Sequence, residues 1–468
     1  MSRNATRTPQ QRLILAIAIT ASFVAFLDSS VVNVALPSIV EQLGGGLTTQ
    51  QWTVDAYLLT LGSLILVAGS VSDAFGRQRV LRIGLVLFGI ASIAIAAAPT
   101  AGVLIAARLL QGVAGAMLVP SSLALIMSSF DGAERGRAIG AWTGATSAAF
   151  VAGPLLGGLA VDLASWRWAF LINVLPIAAA MYLLTRVEAR DLPREGAHVD
   201  LVSAALCALG LGGAVFALIE QPNLGWGDPA VWVAGVGGVA VFVWFVWRQA
   251  RISRPMLPLG LFAARNFAWG NISTMFVYGA LGLNGFVVSV YLQERAGLSA
   301  TVAGLSTMPI TVALMVLSSR AGAVAGRIGP RLFMTLGPIA MAGGALLMLM
   351  VSEPFSYWTQ LLPGVLLFGV GLAATVSPLT AAVLGAVDSA RSGIASAVNN
   401  AVARVAGLVA VAALGAVVGG ELDLAGFHRA VGFTAVLLAL GGIASWVGIR
   451  NASAGPRTEA ASTETTPV

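Results

Sequence analysis

The chain has 468 residues, of which 57% are hydrophobic and 10% are charged, and its mean hydropathy is +0.88. A soluble protein carries roughly a quarter charged residues, and no soluble core could bury so much apolar sequence, so lipid must surround most of this chain. The formal charge is +6, but the 26 basic residues, all arginine, stand singly or in small groups between apolar runs. This distribution argues against nucleic-acid binding and indicates membrane topology signals.

Fourteen apolar runs follow one another along the chain, each long enough to cross a bilayer core of ~30 Å as a helix rising ~1.5 Å per residue. They lie near 13–36, 52–71, 80–98, 103–127, 138–161, 168–185, 201–219, 230–247, 267–292, 302–319, 332–351, 358–384, 392–418 and 430–449. The first run follows three arginines, as in a signal peptide. It is too long, contains an aspartate and lacks a small-residue cleavage site, so we interpret it as a retained helix.

The positions of the arginines predict the orientation of the chain. If the N-terminus is cytoplasmic, only Arg167, Arg295 and Arg429 fall outside and only Arg108 and Arg404 fall within spans. Adding or removing one span would move every later loop to the other side of the membrane and destroy this bias. The positive-inside rule therefore predicts a multi-pass protein of a bacterial inner membrane with both termini in the cytoplasm.

A repeat at a nearly constant offset of 254 to 257 residues divides the chain into two halves. The matching segments are 31–34 with 287–290, 109–113 with 366–370, and 151–153 with 405–407. Parallel repeats of six helices with a midplane site between them are typical of secondary transporters.

The repeat predicts an all-α membrane protein made of two six-helix bundles with a helix pair inserted between them. The expected organisation is a cytoplasmic N-terminus at 1–12, a bundle at 13–185, a linker with two inserted helices at 186–266, a second bundle at 267–450 and a disordered tail at 451–468. The inserted helices 201–247 carry no midspan charge, so we expect them to be peripheral to the transport pathway.

Several motifs occur in order along the first half. They are Phe26–Pro37 in the first span, Gly69–Arg79 in the loop after the second, Arg108–Gly112 in the fourth, Gly144–Gly158 in the fifth and Trp166–Asn173 at the start of the sixth. In this order they resemble the major facilitator superfamily, and within it the fourteen-helix drug:proton antiporters. The resemblance implies the major facilitator fold with fourteen transmembrane helices.

A carboxylate in the first span and an arginine in the fourth are candidates for proton coupling. Asp28, Arg108 and Asp55 lie at similar depth along their helices. An ionised carboxylate in lipid needs a partner or takes up a proton, so we expect the three to form one cluster. The resemblance implies the proton-coupling role of Arg108, and Gln111, one turn deeper, is expected to orient either group. A structural ion pair for Asp28 and a helix cap for Asp55 are the alternatives.

The loop motif between the second and third spans supplies a candidate cytoplasmic gate made of Gly69, Asp73, Gly76 and Arg77. Gly69 is expected to permit close helix approach, and Gly76 to permit a tight turn. The resemblance implies a latch that locks the outward-open state. The alternative is a simple positive-inside turn.

Glycines and one proline mark the fifth span as an expected bendable, closely packed helix. The motif residues are Gly144, Gly153, Pro154, Gly157 and Gly158. The resemblance assigns them to the antiporter motif that separates exporters from symporters, although such a run also occurs for packing alone.

The second half has lost both candidate proton-coupling charges. The counterparts of Asp28 and Arg108 are Asn284 and Val365. We expect the polar residues that remain within the spans to line a substrate cavity: Asn33, Asn173, Asn284, Asn399, Asn400 and Arg404. The alternative for the group on the thirteenth span is hydrogen bonding between helices.

The resemblance implies proton-driven export of amphipathic small molecules, such as drugs, antibiotics, dyes or secondary metabolites. The alternatives are export of one endogenous metabolite or lipid, and a proton–nutrient symporter. A membrane enzyme is disfavoured, because the sequence has no nucleophile–base set and its only histidines are His198 and His428. We expect no cofactor and no metal, only the proton gradient. The expected partners are lipid, protons and a small-molecule substrate, with no nucleic acid, for a monomer.

Overall fold

The computed structural model describes residues 7–187, 199–388 and 391–451, and in these ranges all regular structure is helical. It contains the fourteen predicted membrane-spanning helices, here named α1 to α14. Their bounds are Pro9–Leu43, Gly46–Phe75, Arg77–Ala96, Ala101–Ser129, Glu134–Leu163, Trp166–Leu184, Leu201–Leu224, Pro229–Gln249, Arg265–Glu294, Ala300–Ile328, Pro330–Met350, Tyr357–Leu384, Ser392–Val418 and Leu424–Gly448. Residues 188–198 of the predicted linker 186–266, and the predicted disordered tail apart from Asn451, lie outside the described residues.

The first helix begins earlier than the apolar run, at Pro9 inside the predicted N-terminal segment. Thr8 accepts a hydrogen bond from the backbone N–H of Gln11, and the Gln11 side chain accepts one from the N–H of Thr8. This capping box and the proline at the first helical position start the helix among polar residues. Hydropathy alone does not detect such a start.

Prolines interrupt two of the spans. In α6 the helix is interrupted between Leu171 and Val174, and Pro176 follows the break. In α10 the break falls at Thr307, two residues before Pro309. Proline lacks an N–H and clashes with the carbonyl of the preceding turn, which disfavours regular helix at both breaks.

The start of α1 and the end of α14 lie at one face of the bundle, because the chain crosses it an even number of times between them. We call the face that carries Pro9 and Gly448 the terminal face, and the opposite face, which carries Leu43 and Glu294, the far face. The cores of both six-helix groups lie between these faces, with large apolar side chains such as Phe88 and Phe368 fully buried.

The two halves are joined at the far face by polar contacts. The carboxylate of Asp162, at the end of α5, accepts hydrogen bonds from the backbone N–H groups of Ala300 at 3.0 Å and Thr301 at 2.9 Å. Gln50 of α2 donates to Glu294 of α9 at 2.6 Å. A carboxylate at a helix N-terminus is favoured by the unpaired N–H groups there. The far face is therefore closed in this conformation.

Near the terminal face the helices diverge. A Cβ atom at Gly136, Gly140 or Gly144 of α5 would meet no heavy atom of another element within 4 Å, and the same holds for Gly326 of α10 and Gly393 of α13. The helices that meet at the far face are thus less tightly packed at the other end.

The inserted helices α7 and α8 pack on the outside of the bundle. α7 lies against α2 of the first half and α13 of the second, and α8 packs against α7. Trp52 of α2 donates a hydrogen bond to Glu220 at 2.8 Å, and Thr48 accepts one from Asn223 at 2.8 Å. Val233 of α8 is 73% exposed, so this helix presents its outer face to lipid.

At the terminal face, a polar cluster ties α7 to α8. Arg248 contacts the Asp200 carboxylate at 2.7 Å, and Ser203 also donates to it. Burial raises the pKa of Asp200, but the hydrogen bonds from Arg248 and Ser203 outweigh it, so the pKa lies below its ordinary value. The cluster is therefore intact at neutral pH and is lost only as the pH falls through the lowered pKa.

We predict that Gly238→Val separates α7 from α8, because a Cβ at Gly238 would lie 2.5 Å from the backbone nitrogen of Ala214. The apparent melting temperature of the purified protein in detergent should fall by several degrees. Gly237→Val is the matched control, since a Cβ there meets nothing within 4 Å. Equal melting temperatures for the two variants would contradict close packing of the pair.

Candidate functional site

A buried ion pair between α1 and α4 lies at the centre of the first half. The guanidinium Nη1 of Arg108 lies 2.6 Å from Oδ2 of Asp28, and each side chain is 1% exposed. Isolated charges at this depth would be strongly unfavourable, so each group depends on the other. The structure brings together the two residues that the sequence proposed as a pair.

Amide side chains complete the coordination of the Asp28 carboxylate. Gln111 donates to Oδ1 of Asp28 at 2.8 Å and accepts from Arg108 at 2.6 Å. Asn173 also donates to Oδ1 at 2.8 Å. Ser92 of α3, which the sequence analysis did not identify, accepts from Gln111 at 3.0 Å. The carboxylate therefore accepts hydrogen bonds from three side chains, and one of these donors, Arg108, carries a full positive charge.

The structure corrects the expectation for Asn173. The sequence assigned it to the substrate cavity, but its side chain is fully buried and contacts Asp28. Asn173 lies at the break of α6 that precedes Pro176. The sequence did hold a signal for this contact: Asn173 is the last residue of the Trp166–Asn173 motif within a span, and a polar side chain buried in a span needs a hydrogen-bond partner.

Tyr57 of α2 is a second residue that the sequence analysis missed. The Arg108 guanidinium carbon lies 4.5 Å from the centroid of the Tyr57 ring, a cation–π contact. Arg108 also donates through Nε to the carbonyl of Thr53 at 2.8 Å. The arginine is thus held by α2 as well as by α1, and a movement of α2 changes its surroundings.

Asp55 does not join the predicted three-residue cluster. Its side chain is fully buried, and neither carboxylate oxygen has a hydrogen-bond partner among the described residues. It lies one turn deeper than Gln51, which donates to the carbonyls of Val411 and Ala412 on α13. Residues four apart share a helix face, so Asp55 lies on the side of α2 that faces the second half. The alternative of a helix cap is not supported either, since the carboxylate accepts no hydrogen bond.

A narrow cleft, with a cavity volume of only about 10 Å³ in this conformation, lies between the two halves. It is lined by residues of α1, α2, α4 and α13: Ala25, Phe26, Tyr57, Leu61, Ile65, Val119, Asn400 and Arg404. The lining is apolar and aromatic apart from the tyrosine hydroxyl, one amide and one guanidinium. Such a surface suits an amphipathic ligand.

Of the predicted cavity residues, only Asn400 and Arg404 line this cavity. Asn399 donates instead to Asn271 at 3.1 Å and Thr274 at 2.8 Å, so it joins α13 to α9. This is the interhelical alternative that the sequence left open.

Asn33 and Asn284 lie where α1 approaches α9. The Asn33 carbonyl accepts from Ser289 at 3.0 Å, and a Cβ at Gly285 would lie 3.6 Å from the Asn33 amide nitrogen. Asn284 is buried and its Oδ1 has no partner among the described residues. Both residues therefore lie away from the cavity, at the contact between the halves.

The candidate gate residues lie at the terminal face. Arg77 forms an ion pair with Asp73 at 3.3 Å, both partly exposed, and Gly76 has a φ of 91°, which favours glycine. Gly69 differs from the expectation of close helix approach, since a Cβ there would meet nothing within 4 Å. The close contact predicted for Gly69 is absent in this conformation.

The fifth-helix motif is packed tightly only in its far-face part. A Cβ at Gly153 would lie 1.8 Å from the Ser30 hydroxyl, one at Gly157 would lie 3.0 Å from Val34, and one at Gly158 would lie 2.5 Å from the Thr301 Cα. Gly144 has no neighbour within 4 Å. Pro154 lies within the helix, between the glycines that contact α1 and α10.

No group of three or more His, Cys, Asp or Glu side chains in the described ranges could hold a metal ion.

The family model of the Major Facilitator Superfamily matches residues 18–411. The chain is 33% identical to the methylenomycin A resistance protein of Bacillus subtilis, over 84% of each protein. It is 36% identical to the multidrug resistance protein Stp of Mycobacterium tuberculosis, over 86% of this chain and 74% of the relative. It is 34% identical to the puromycin resistance protein pur8 of Streptomyces alboniger, over 96% and 92%.

Solved structures show the same fold at low sequence identity. A peptide transporter POT in complex with sulfate superposes with a TM-score of 0.68 at 14% identity, covering 95% of each chain. An inward-open xylose transporter XylE from E. coli superposes with a TM-score of 0.65 at 14% identity, covering 95% of this chain and 97% of that one. These likenesses concern the fold alone.

We predict that Arg108→Ala lowers the free energy of unfolding by about 3–5 kcal/mol, because it leaves the Asp28 carboxylate buried without its cation. The double variant Asp28→Leu/Arg108→Met removes both charges and should recover most of this loss. The apparent melting temperature in detergent measures both. If the double variant is no more stable than Arg108→Ala, the pair is not the source of the effect.

Proposed function

The chain belongs to the major facilitator superfamily, and on that basis we propose that it is a proton-coupled antiporter that exports amphipathic small molecules from a bacterial cell by alternating access. The observation that carries the proposal is a buried carboxylate–arginine pair next to a central cavity. The Tyr57 ring contacts the arginine of this pair and also lines the cavity. Relatives that cover most of the chain are resistance proteins, which supports export rather than uptake.

The arginine bias supports the orientation that we propose. Arg77 and Arg135 lie at the terminal face, as do Arg265, Arg331 and Arg450, so we assign this face to the cytoplasm. Both termini are then cytoplasmic, and the far face points outward. The conformation described above is closed to the outside, because Asp162 and Gln50 hold the far face together.

We assign the principal proton site to Asp28. In the present conformation Arg108, Gln111 and Asn173 all donate hydrogen bonds to its carboxylate. Protonation removes the charge that these groups coordinate, so proton uptake requires a conformation in which the pair is separated. Movement of α2, which holds Arg108 through Thr53 and Tyr57, provides a route to that separation.

Asp55 is proposed as a second proton site of different character. Its carboxylate has neither a charge partner nor a hydrogen bond among the described residues, and a site of this kind favours the neutral acid. It lies on the face of α2 that meets α13, where the two halves move relative to one another. A change in that contact alters its hydration and thereby its proton occupancy.

The candidate gate residues and the fifth-helix motif are proposed to act in opposite conformations of the transport cycle. Gly153, Gly157 and Gly158 allow the tight far-face packing of the present conformation. Asp73 pairs with Arg77 of its own half, and a Cβ at Gly69 would meet nothing within 4 Å, which agrees with a latch that engages only when the cytoplasmic side closes.

The two six-helix bundles are proposed as the moving units, with the inserted pair as a peripheral element in contact with lipid. α7 bridges α2 and α13 without lining the cavity. We propose a monomer, since the two bundles of one chain together supply the surfaces that form the cavity. The proposed energy source is the proton gradient, with no cofactor.

We predict that Asp28→Asn abolishes substrate-driven proton release from purified protein, because the amide cannot bind or release the proton. Since this variant leaves Arg108 without its anion, size-exclusion chromatography checks that it is folded. Asp55→Asn should reduce the number of protons released without abolishing coupling. Both are measured with a pH-sensitive dye in weakly buffered detergent solution.

Asp131→Asn is the matched control, since Asp131 has a fully exposed side chain that forms an ion pair with Arg135 at the terminal face. It should release protons as the wild type does. Undiminished proton release from the Asp28→Asn protein would overturn the assignment.

A further inference from the structure

Arg404 is an unusual residue for the interior of a membrane protein. It lies within α13, is half-buried, lines the central cavity, and makes neither an ion pair nor a hydrogen bond among the described residues. Its guanidinium makes a cation–π contact with Phe26, at 5.8 Å from the ring centroid. Arg108, the other arginine within a span, is bound by a carboxylate, an amide and a backbone carbonyl. An unpaired guanidinium at such depth marks a binding site for a group that comes from outside the chain.

No carboxylate lines the cavity to balance this charge. Asp28, two residues after Phe26 on α1, is the nearest candidate for a counter-ion to Arg404. Its carboxylate oxygens, however, already accept hydrogen bonds from Arg108, Gln111 and Asn173. The cavity therefore carries a net positive charge. In a site with low-dielectric walls such a charge attracts an anion and repels a permanent cation.

The neighbours of Arg404 are arranged for a second polar contact. Asn400 lies one turn away on the same face of α13 and also lines the cavity. Asn399, next to it, points the other way and binds Asn271 and Thr274 of α9. This contact fixes the rotation of α13 and so holds the Arg404 side chain toward the cavity.

The remainder of the lining defines the rest of the ligand. Phe26, Tyr57, Leu61 and Ile65 present aromatic and aliphatic surface opposite α13. The planar fork of a guanidinium matches the two oxygens of a carboxylate, and an amide offers one further donor and one acceptor.

We infer that Arg404, assisted by Asn400, binds an acidic group of the transported molecule, and that the substrates are amphipathic weak acids in their anionic form. This inference rests on the proposed export function. Exchange of an exported anion for an imported proton moves at least two elementary charges, so an inside-negative membrane potential accelerates it. Exchange of a monovalent cation for one proton moves no net charge.

Two xanthene dyes of similar shape and opposite charge test the inference: anionic fluorescein and cationic rhodamine 123. Binding to purified protein is measured by fluorescence anisotropy, and transport is measured in proteoliposomes with an imposed pH gradient. The wild type should bind fluorescein at least ~10-fold more tightly than rhodamine 123, the factor that one net charge–charge contact of modest strength provides. Fluorescein transport should accelerate when a potassium diffusion potential is imposed.

Arg404→Gln should lose at least ~10-fold in fluorescein affinity without losing affinity for rhodamine 123, and Arg404→Lys should retain part of it. Arg295→Gln is the control, since Arg295 is exposed and pairs with Glu421 at the far face. Size-exclusion chromatography checks that each variant is folded. Arg404→Lys also separates loss of the charge from loss of the fold.

The outcomes separate the two proposals. Fluorescein binding that depends on Arg404 without any transport would support the acidic-group site and contradict the export function. Gradient-driven transport of rhodamine 123, unaffected by Arg404→Gln and accompanied by weak fluorescein binding, would support export and overturn the acidic-group site. Failure of the wild type to bind fluorescein more tightly than rhodamine 123 would also overturn that site.

Discussion

The burial of one carboxylate and one guanidinium between α1 and α4 is the constraint on which the rest of the first half depends. Asp28 and Arg108 are each 1% exposed and 2.6 Å apart, and neither charge is tolerable at that depth alone. The surrounding groups follow from this requirement. Gln111, Asn173 and the Thr53 carbonyl satisfy the remaining donors and acceptors, so four helices meet at one pair. A proton on Asp28 would weaken all of these contacts together, which links its protonation state to helix packing.

The two halves share a fold but divide the chemistry. The first half holds the ion pair, whereas the second has Asn284 and Val365 at the equivalent positions and contributes Asn400 and Arg404 to the cavity. Tyr57 lies between the two regions, since its ring contacts Arg108 and also lines the cavity. The cavity and the Asp28–Arg108 pair are thereby separated by one side chain. This is a short path for coupling between them.

The sequence predicted the spans well because length and apolarity alone decide whether a helix can cross a bilayer. It predicted the Asp28–Arg108 pair for a similar reason, since two opposite charges at one depth in lipid must meet. Depth fixes only one coordinate, however. Asp55 lies at the same level but on the face of α2 that meets α13, so the expected cluster of three was wrong.

Other errors have local physical causes. Asn173 was placed in the cavity because a single sequence does not show which way a side chain at a helix break will point. Gly69 was expected at a close helix contact, and it has no neighbour because the far face, rather than the terminal face, is closed here. Ser92 and Tyr57 carry no motif signal, and only the packing shows their roles.

The central claim is that Asp28 changes its protonation state when the cavity is filled, and infrared difference spectroscopy measures this most directly. Spectra of the purified protein with and without substrate are compared for the wild type, Asp28→Asn and Asp55→Asn. The account predicts a substrate-induced loss of a protonated-carboxyl band that is absent from Asp28→Asn and retained in part by Asp55→Asn. The same band, unchanged in the Asp28→Asn protein, would contradict it.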